Sequence, residues 1–185
     1  MRFFCPKCWS DFPDDIERHP KCGLDIDRLP ACGVTLTLSD GVPRLFTHLA
    51  LDFTGTLSLD GSLLPGVEER LRELAKAMRI VVLTADTFGK AESRLKGLPV
   101  GVKIIRTGED KADYLREAGP ERTVAIGNGV NDLPMMKMAG LRIAVIGPEG
   151  ASAELIRAAD VVVNDSLHAL DLIRYPLRLK ATLRK

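Results

Sequence analysis

Apolar residues follow two different patterns along the chain from about residue 46 onward. Short runs rich in Val, Ile and Leu are typical of buried strands, whereas apolar residues that recur every three or four positions are typical of helices. The predicted strands cover residues 49–51, 80–83, 100–105, 123–126, 142–146 and 161–163. The predicted helices cover residues 65–78, 88–96, 109–118, 135–139, 151–159 and 166–174. Apolar strands that alternate with helices form parallel sheets covered on both faces, so we predict an α/β fold with a doubly wound parallel sheet.

The segments outside this alternation are shorter and less regular. Residues 34–45 are predicted as a strand, a turn and an extended connector, and residues 57–64 as a small hairpin or flap. We place a domain boundary after residue 45, which gives a small module at 1–45 and an α/β domain at 46–185. The last twelve residues contain five cationic side chains and no acidic one, and we expect them to form a solvated tail.

Composition and charge exclude some classes of protein. The chain has 185 residues, of which 45% are hydrophobic and 28% charged, and its net charge of +1 indicates no particular class of partner. No apolar run approaches the ~20 residues that span a bilayer. The N-terminus lacks the apolar stretch of a signal peptide, so we expect a cytoplasmic protein that does not bind membranes.

All four cysteines lie in the first fifth of the chain. Cys5-Pro-Lys-Cys8 and His19-Pro-Lys-Cys22 are similar in sequence, and such clustering in a reducing compartment favours metal binding over disulfides. The pair resembles the two knuckles of the zinc ribbon family, which implies one structural Zn²⁺ held by Cys5, Cys8, His19 and Cys22. Cys32 is the alternative fourth ligand in place of His19.

Polar residues follow the carboxyl ends of several predicted strands: Asp52, Thr54, Thr84, Lys111, Asn128, Asn131 and Asp132. In a doubly wound sheet these ends meet in one cleft. Each residue also has an ordinary explanation, because Thr84 suits a strand end, Lys111 a solvated helix face and Asp132 a helix cap. The sequence therefore predicts a site only if these residues converge.

The residue types in this set suit phosphoryl chemistry. Asp52 is a candidate nucleophile toward phosphorus, and Lys111 can neutralise negative charge that develops on a phosphate. Thr84 and Asn131 are candidate ligands of the substrate, since a hydroxyl or an amide donates hydrogen bonds to phosphate oxygens.

Oxygen atoms in the same set suit Mg²⁺, which prefers carboxylate, carbonyl and water ligands. We predict a Mg²⁺ site formed by Asp52, the backbone carbonyl of Thr54, Asn128 and Asp132.

Four motifs in order resemble the haloacid dehalogenase superfamily. Asp52-Phe-Thr-Gly-Thr-Leu57 is similar to its first motif, Thr84 to the second, Lys111 to the third and Gly127-Asn-Gly-Val-Asn-Asp132 to the fourth. The resemblance covers about 140 residues and implies a Mg²⁺-dependent phosphatase that forms an aspartyl phosphate on Asp52.

Two positions depart from the family pattern. Thr54 stands where most family phosphatases have a second aspartate as general acid/base, a feature shared with the Asp-Lys-Thr-Gly-Thr motif of P-type ATPases. Soluble P-type-ATPase-like phosphatases are therefore the nearest resemblance. Asn128 replaces the usual aspartate of the fourth motif and brings no charge. We expect slow turnover and a long-lived phosphoenzyme.

The intervals between the motifs leave no room for a cap domain. In this family a capless fold implies a large or exposed phosphorylated substrate, or a homo-oligomer that covers the site. The alternative function is a catalytically weak or inactive regulatory protein whose zinc ribbon docks a protein or nucleic acid. The chain shows no basic stripe with interleaved aromatic residues, which disfavours nucleic acid as a partner.

Overall fold

The computed structural model describes residues 3–4, 11–12 and 33–184. Strands β1 (Phe3–Phe4) and β2 (Asp11–Phe12) pair antiparallel. The predicted Zn²⁺ ligands Cys5, Cys8, His19 and Cys22, and the alternative ligand Cys32, lie outside the described residues. The zinc-ribbon module therefore stays a prediction.

From α1 to α6 the helices and strands alternate, as the sequence predicts. The strands are β3 (Val34–Thr37), β4 (Pro43–Phe46), β5 (His48–Leu51), β6 (Ser58–Leu59), β7 (Ser62–Leu63), β8 (Arg79–Thr84), β9 (Gly101–Ile104), β10 (Thr123–Gly127), β11 (Leu141–Val145) and β12 (Val161–Val163). The helices are α1 (Val67–Leu74), α2 (Ala91–Leu95), α3 (Gly108–Ala118), α4 (Leu133–Met138), α5 (Ala153–Ala158), α6 (Ser166–Arg174) and α7 (Pro176–Leu183).

Six parallel strands form the central sheet in the order β12-β11-β10-β5-β8-β9. Leu51 of β5 is paired with Ile126 of β10 on one side and with Val82 of β8 on the other. The chain moves outward from β5 to β9, then returns to β10 and moves outward in the other direction. This order confirms the predicted doubly wound sheet, and its reversal between β5 and β10 opens a crevice at the carboxyl edge.

Side chains alternate between two hydrophobic layers, as a pleated strand requires. One face of the sheet packs against α1, α6 and α7 through large residues such as Leu49, Leu51 and Ile143. The other face contributes small residues, including Ala50 and Ala125, to a layer with the leucines and methionines of α3, α4 and α5. Both faces of the sheet are therefore covered by helices.

The C-terminal segment differs from the predicted solvated tail. Residues 176–183 form α7, whose Leu179 is fully buried in the core, while α7 packs against β3. Pro176 at the first turn suits a helix start, because its missing N–H group has no acceptor there. The prediction of a solvated tail was wrong because leucines lie between the cationic residues, and Leu179 among them packs in the core.

The hairpin of β3 and β4 also contributes to the core of the sheet domain. Its residues Leu36 and Phe46 are fully buried in the layer formed with α1, α6 and α7. The sequence predicted the strand but not this packing. The division into 1–45 and 46–185 stays a prediction, and residues 34–46 pack with the sheet. No helix in the described part of the chain is long and apolar enough to cross a membrane.

Candidate active site

Asp52 follows β5 at the point where the strand order reverses, and only 4% of its surface is exposed. The ammonium group of Lys111, from the first turn of α3, donates to Asp52 Oδ1 at 2.7 Å and to Asp132 Oδ1 at 2.6 Å. Lys111 and Asp132 are fully buried. The structure thus brings together three residues that lie 59 and 21 positions apart in the sequence.

Asp132 closes the tight turn after β10. Its second oxygen, Oδ2, accepts hydrogen bonds from the backbone N–H groups of Asn128 at 3.0 Å and Gly129 at 2.9 Å. With Lys111 on Oδ1, both of its oxygens are engaged by protein donors. This arrangement favours a role in aligning Lys111, and the predicted direct contact of Asp132 with Mg²⁺ stays a prediction.

The charges in this group shift the pKa of two of its members. Burial raises the pKa of Asp52 to about 7, and the negative charge of Asp132 acts in the same direction, while Lys111 opposes both. Burial lowers the pKa of Lys111, but the two carboxylates outweigh this effect, so that its pKa lies above the usual value. Lys111 therefore stays positively charged at neutral pH, whereas Asp52 keeps its proton to a higher pH than an exposed aspartate does.

A cavity of about 210 Å³ opens next to Asp52. Six of its eight lining residues have polar side chains, and the full set is Asp52, Thr54, Thr84, Ala85, Thr87, Asn128, Gly129 and Asn131. Five of the predicted site residues therefore share this cavity, and the other two, Lys111 and Asp132, contact each other beside Asp52.

Two threonine hydroxyls in the lining suit contact with a ligand. Thr84 Oγ1 accepts a hydrogen bond from the backbone N–H of Asp86 at 2.9 Å, so its own proton remains to be donated. Thr54 Oγ1 is buried and has no hydrogen-bond partner among the described residues. A buried hydroxyl without a partner costs roughly 1–3 kcal/mol. A polar ligand in the cavity would remove this cost.

Asn128 is fixed on both sides of its amide. Its Oδ1 accepts from the hydroxyl of Thr56 at 3.2 Å, and its Nδ2 donates to the backbone carbonyl of Gly150 at 3.1 Å. Gly55 makes room for this amide, since a Cβ atom there would lie 2.3 Å from Asn128 Nδ2. Gly55 also has a φ of 75°, which disfavours other residues. Sequence reasoning assigned no role to Thr56, although it lies within the first motif.

The donors around the cavity fit Mg²⁺ in type. The carboxylate of Asp52, the backbone carbonyl of Thr54 and the second lone pair of Asn128 Oδ1 are the oxygen ligands that this ion prefers. Asn128 is neutral, so Asp52 is the charged ligand in this set.

Comparison with known proteins identifies the family to which this part of the chain belongs. The family model of haloacid dehalogenase-like hydrolases matches residues 39–140, which include every predicted site residue of the α/β domain. An uncharacterized protein of Methanocaldococcus jannaschii is 48% identical over 73 residues, which are 39% of this chain and 78% of that protein. A phosphoglycolate phosphatase of Halorubrum lacusprofundi is 36% identical over 110 residues, which are 60% of this chain and 43% of the enzyme.

P-type ATPases are also among the relatives. A protein of Mycobacterium bovis named as a probable cobalt/nickel-exporting P-type ATPase is 33% identical over 151 residues, which are 78% of this chain. The chain spans only 22% of that transporter's length.

Solved structures show the same fold. The cobalt-bound deoxy-D-mannose-octulosonate 8-phosphate phosphatase of Haemophilus influenzae has a TM-score of 0.61 and 20% sequence identity, with 74% of this chain and 92% of that chain covered. The family model matches more than half of the chain and includes the buried aspartate–lysine pair, so the protein belongs to the haloacid dehalogenase-like hydrolases.

Proposed function

We propose that the protein is a Mg²⁺-dependent phosphatase that transfers a phosphoryl group first to Asp52 and then to water. The observation that carries this proposal is the 2.7 Å contact between Lys111 and Asp52 at the edge of a cavity lined by hydroxyl and amide groups. The relatives named as phosphatases support the same reaction class.

In the first step, a carboxylate oxygen of Asp52 attacks phosphorus while the bond to the leaving oxygen breaks. Lys111 uses two of its three N–H groups on Asp52 and Asp132, so the third remains for a phosphate oxygen. Thr84 and Asn131 donate to other phosphate oxygens from the cavity wall. Water then attacks the aspartyl phosphate, which releases inorganic phosphate and restores Asp52.

Bound Mg²⁺ would be held by Asp52, the carbonyl of Thr54 and Asn128, and it would supply positive charge that offsets the negative charge of the phosphate. The cavity volume of about 210 Å³ lies below the ~300 Å³ at which ligand pockets usually begin. We therefore propose that it holds the phosphate and the first atoms of the leaving group, while the rest of a larger substrate stays outside.

Trapping of the intermediate tests the mechanism. Incubation with a ³²P-labelled phosphodonor and Mg²⁺, followed by acid quench, is expected to label the wild type and not Asp52→Asn. Asp113→Asn, on the exposed surface of α3, is the matched control and is expected to label normally. Phosphatase activity of Asp52→Asn at the wild-type rate would rule out the aspartyl phosphate.

Thr54 offers a second test, because a threonine cannot serve as general acid/base at neutral pH. A positioned acid/base typically contributes ~10²–10⁴ in rate, so we expect Thr54→Asp to raise kcat by at least about tenfold and to shorten the life of the phosphoenzyme. Asparagine has nearly the same size as aspartate but no titratable proton, so Thr54→Asn is expected to give no gain in kcat.

The alternative is a regulatory protein with little or no activity. It is favoured by Asn128, which lacks a charge and whose amide is bonded within the protein. The two functions differ in a simple measurement: a regulatory protein would neither turn over p-nitrophenyl phosphate nor form the labelled intermediate at millimolar Mg²⁺.

We also propose that the N-terminal module binds one structural Zn²⁺ through Cys5, Cys8, His19 and Cys22. Metal analysis of the purified chain is expected to show one zinc per chain, lost in His19→Ala and kept in Cys32→Ser. The opposite result for these two variants would identify Cys32 as the fourth ligand.

A further inference from the structure

The turn between β6 and β7 is held from two sides by oppositely charged side chains. The backbone N–H of Asp60 donates to Glu149 Oε1 at 3.1 Å, and the backbone carbonyl of the same residue accepts from Lys90 Nζ at 3.4 Å. Glu149 and Lys90 belong to loops that follow β11 and β8. We call Lys90, Asp60 and Glu149 the strap.

Each end of the strap leads to a different wall of the cavity. Lys90 lies shortly after Ala85 and Thr87, which line the wall that follows β8. Its backbone N–H donates to Asp86 Oδ1 at 2.8 Å, so the loop from Asp86 to Lys90 is closed by its own hydrogen bond. Displacement of Lys90 would therefore be transmitted to this wall.

The Glu149 end leads to the opposite wall. Glu149 precedes Gly150, whose carbonyl accepts from Asn128 Nδ2 at 3.1 Å, and Asn128 lines the cavity. A Cβ atom on Gly55 would lie 3.1 Å from Glu149 Oε2 and 2.3 Å from Asn128 Nδ2. Glu149 and Asn128 therefore both pack against the loop that follows Asp52.

The turn itself fits closely between these loops. Asp60 and Gly61 have φ values of 50° and 73°, in the left-handed region. A Cβ atom on Gly61 would lie 2.9 Å from Phe88 Cβ, so the turn has no room for a larger residue at this position. The position of the turn is thus set by both loops at once.

We propose that Glu149 and Lys90 are positioning residues, which act through Asp60 to hold the two cavity walls at the spacing that a phosphate requires. No residue of the strap lines the cavity, so its effect on the reaction is indirect. This inference rests on the proposed phosphatase function for its kinetic part, and on the hydrogen bonds of Asp60 for its structural part.

The test uses the full chain and four variants. Glu149→Ala and Lys90→Ala each remove one end of the strap, and Glu149→Gln keeps an oxygen that accepts from Asp60. The double variant Lys137→Ala/Glu154→Ala is the control, because this exposed pair of the same two residue types joins α4 and α5 without contact with the strap. The measurements are hydrogen exchange at residues 58–63 and the kinetics of p-nitrophenyl phosphate hydrolysis.

A hydrogen bond with a net contribution of ~0.5–1.5 kcal/mol corresponds to about a 2- to 13-fold effect. We expect Glu149→Ala and Lys90→Ala to speed exchange at residues 58–63 and to raise KM by this factor, with kcat within about twofold of wild type. Glu149→Gln and the control are expected to resemble wild type in both measurements.

Two results would overturn the proposal. The first is exchange at residues 58–63 that stays at the wild-type rate in both alanine variants. The second is faster exchange without a change in KM, which would show that the strap only stabilises the turn. If the wild type hydrolyses no phosphate ester, the proposed function fails. In that case the concentration of Mg²⁺ that gives half of the maximal thermal stabilisation replaces KM, and an unchanged value in both alanine variants would reject the positioning role separately.

Discussion

Two clusters of charged side chains join distant parts of the chain, one at the carboxyl edge of the sheet and one between α1 and α6. The first consists of Asp52, Lys111 and Asp132, and all three are buried. It contains two acids and one base, so one negative charge is left uncompensated when both acids are ionised. Such an excess is costly in a protein interior, and binding of the cation that we propose for this site would reduce the cost.

The second cluster is balanced and partly exposed. Arg70 binds Asp171 with two parallel hydrogen bonds of 2.9 and 3.1 Å, and Arg174 contacts both Asp171 and Glu73. Its two acids and two bases carry no net charge. Arg70 and Asp171 keep 19% and 13% of their side-chain surface in contact with solvent. These features are typical of a cluster that serves stability.

The pKa values of the two aspartates move in opposite directions. Burial raises the pKa of Asp52 to about 7. Burial also tends to raise the pKa of Asp171, but the hydrogen bonds from Arg70 and Arg174 outweigh it, and the pKa falls below its usual value. The ionised form of Asp52 therefore lowers the stability of the fold, whereas the ionised form of Asp171 raises it.

The largest expected effect on stability comes from loss of the Lys111 ammonium group in the buried cluster. Lys111→Met leaves Asp52 and Asp132 without a positive partner, and breaking a buried pair in this way typically costs ~3–5 kcal/mol. We expect the free energy of unfolding in urea to fall by this amount at pH 8. Lys137→Met, at an exposed position, is the control. An unchanged urea midpoint for Lys111→Met would contradict the burial of this ammonium.

A smaller loss is expected in the balanced cluster. Asp171→Asn weakens the bonds to two arginines, and hydrogen bonds to charged groups contribute ~1.5–3 kcal/mol each in favourable cases, less where water competes. We expect a loss of about 1–2 kcal/mol at pH 7 with phosphatase activity unchanged. Because the folded pKa of Asp171 is lowered, its contribution is present above the unfolded pKa near 3.8 and is lost in acid. A loss that persists unchanged at pH 3 would contradict this assignment.

Asp52→Asn is expected to stabilise the protein while abolishing activity. The folded pKa of about 7 lies above the unfolded value of 3.8, so the native state loses stability as pH rises from 3.8 to about 7 and no further above that. Asparagine removes this charge, and one pKa unit corresponds to 1.36 kcal/mol, so we expect a gain of at least about 1 kcal/mol at pH 8 without Mg²⁺. A smaller gain is expected at pH 5, because only part of this loss has occurred at that pH. Equal stability of the two proteins at pH 8 would show that Asp52 is not desolvated.

The smallest expected effect concerns Mg²⁺ itself. Below its pKa Asp52 holds a proton that competes with the cation, so the apparent affinity for Mg²⁺ is expected to rise between pH 6 and pH 8. At ten times the dissociation constant, Mg²⁺ adds about 1.4 kcal/mol to stability, and a tenfold weaker affinity at pH 6 reduces this to about 0.4 kcal/mol. Thermal unfolding with and without Mg²⁺ at both pH values measures the difference. In Asp52→Asn the stabilisation by Mg²⁺ is expected to differ little between the two pH values.

Sequence reasoning predicted that the candidate site residues converge because they follow strands. Asp52, Thr84 and Asn128 each come at or just after the end of a run of apolar residues, and the parallel sheet brings such ends together. It was less successful where long-range contacts decide the structure. The hydrogen bond from Asp60 to Glu149 joins residues 89 positions apart, and no local pattern indicates it.

Helix α2 shows a different limit. The sequence predicted a helix over 88–96, whereas α2 covers Ala91–Leu95. Asp86 adopts a φ of 47°, and its side chain accepts from the N–H groups of Lys90 and Ala91. The residues before Ala91 are therefore used in a closed turn. The spacing of apolar residues could not predict this turn, because Asp86 lies before the predicted helix and closes the turn with its side chain.

Complete burial of Lys111 has one more consequence, for chemical modification of the protein. Acylating reagents attack an uncharged amine, and this one is held as a cation between two carboxylates with no surface in contact with solvent. Lysines on the outside, such as Lys137, are open to the same reagents. The rate of acylation of Lys111 would therefore depend on how often the protein unfolds around this residue. Mass spectrometry of the peptide that contains Lys111 would measure that rate without a denaturant.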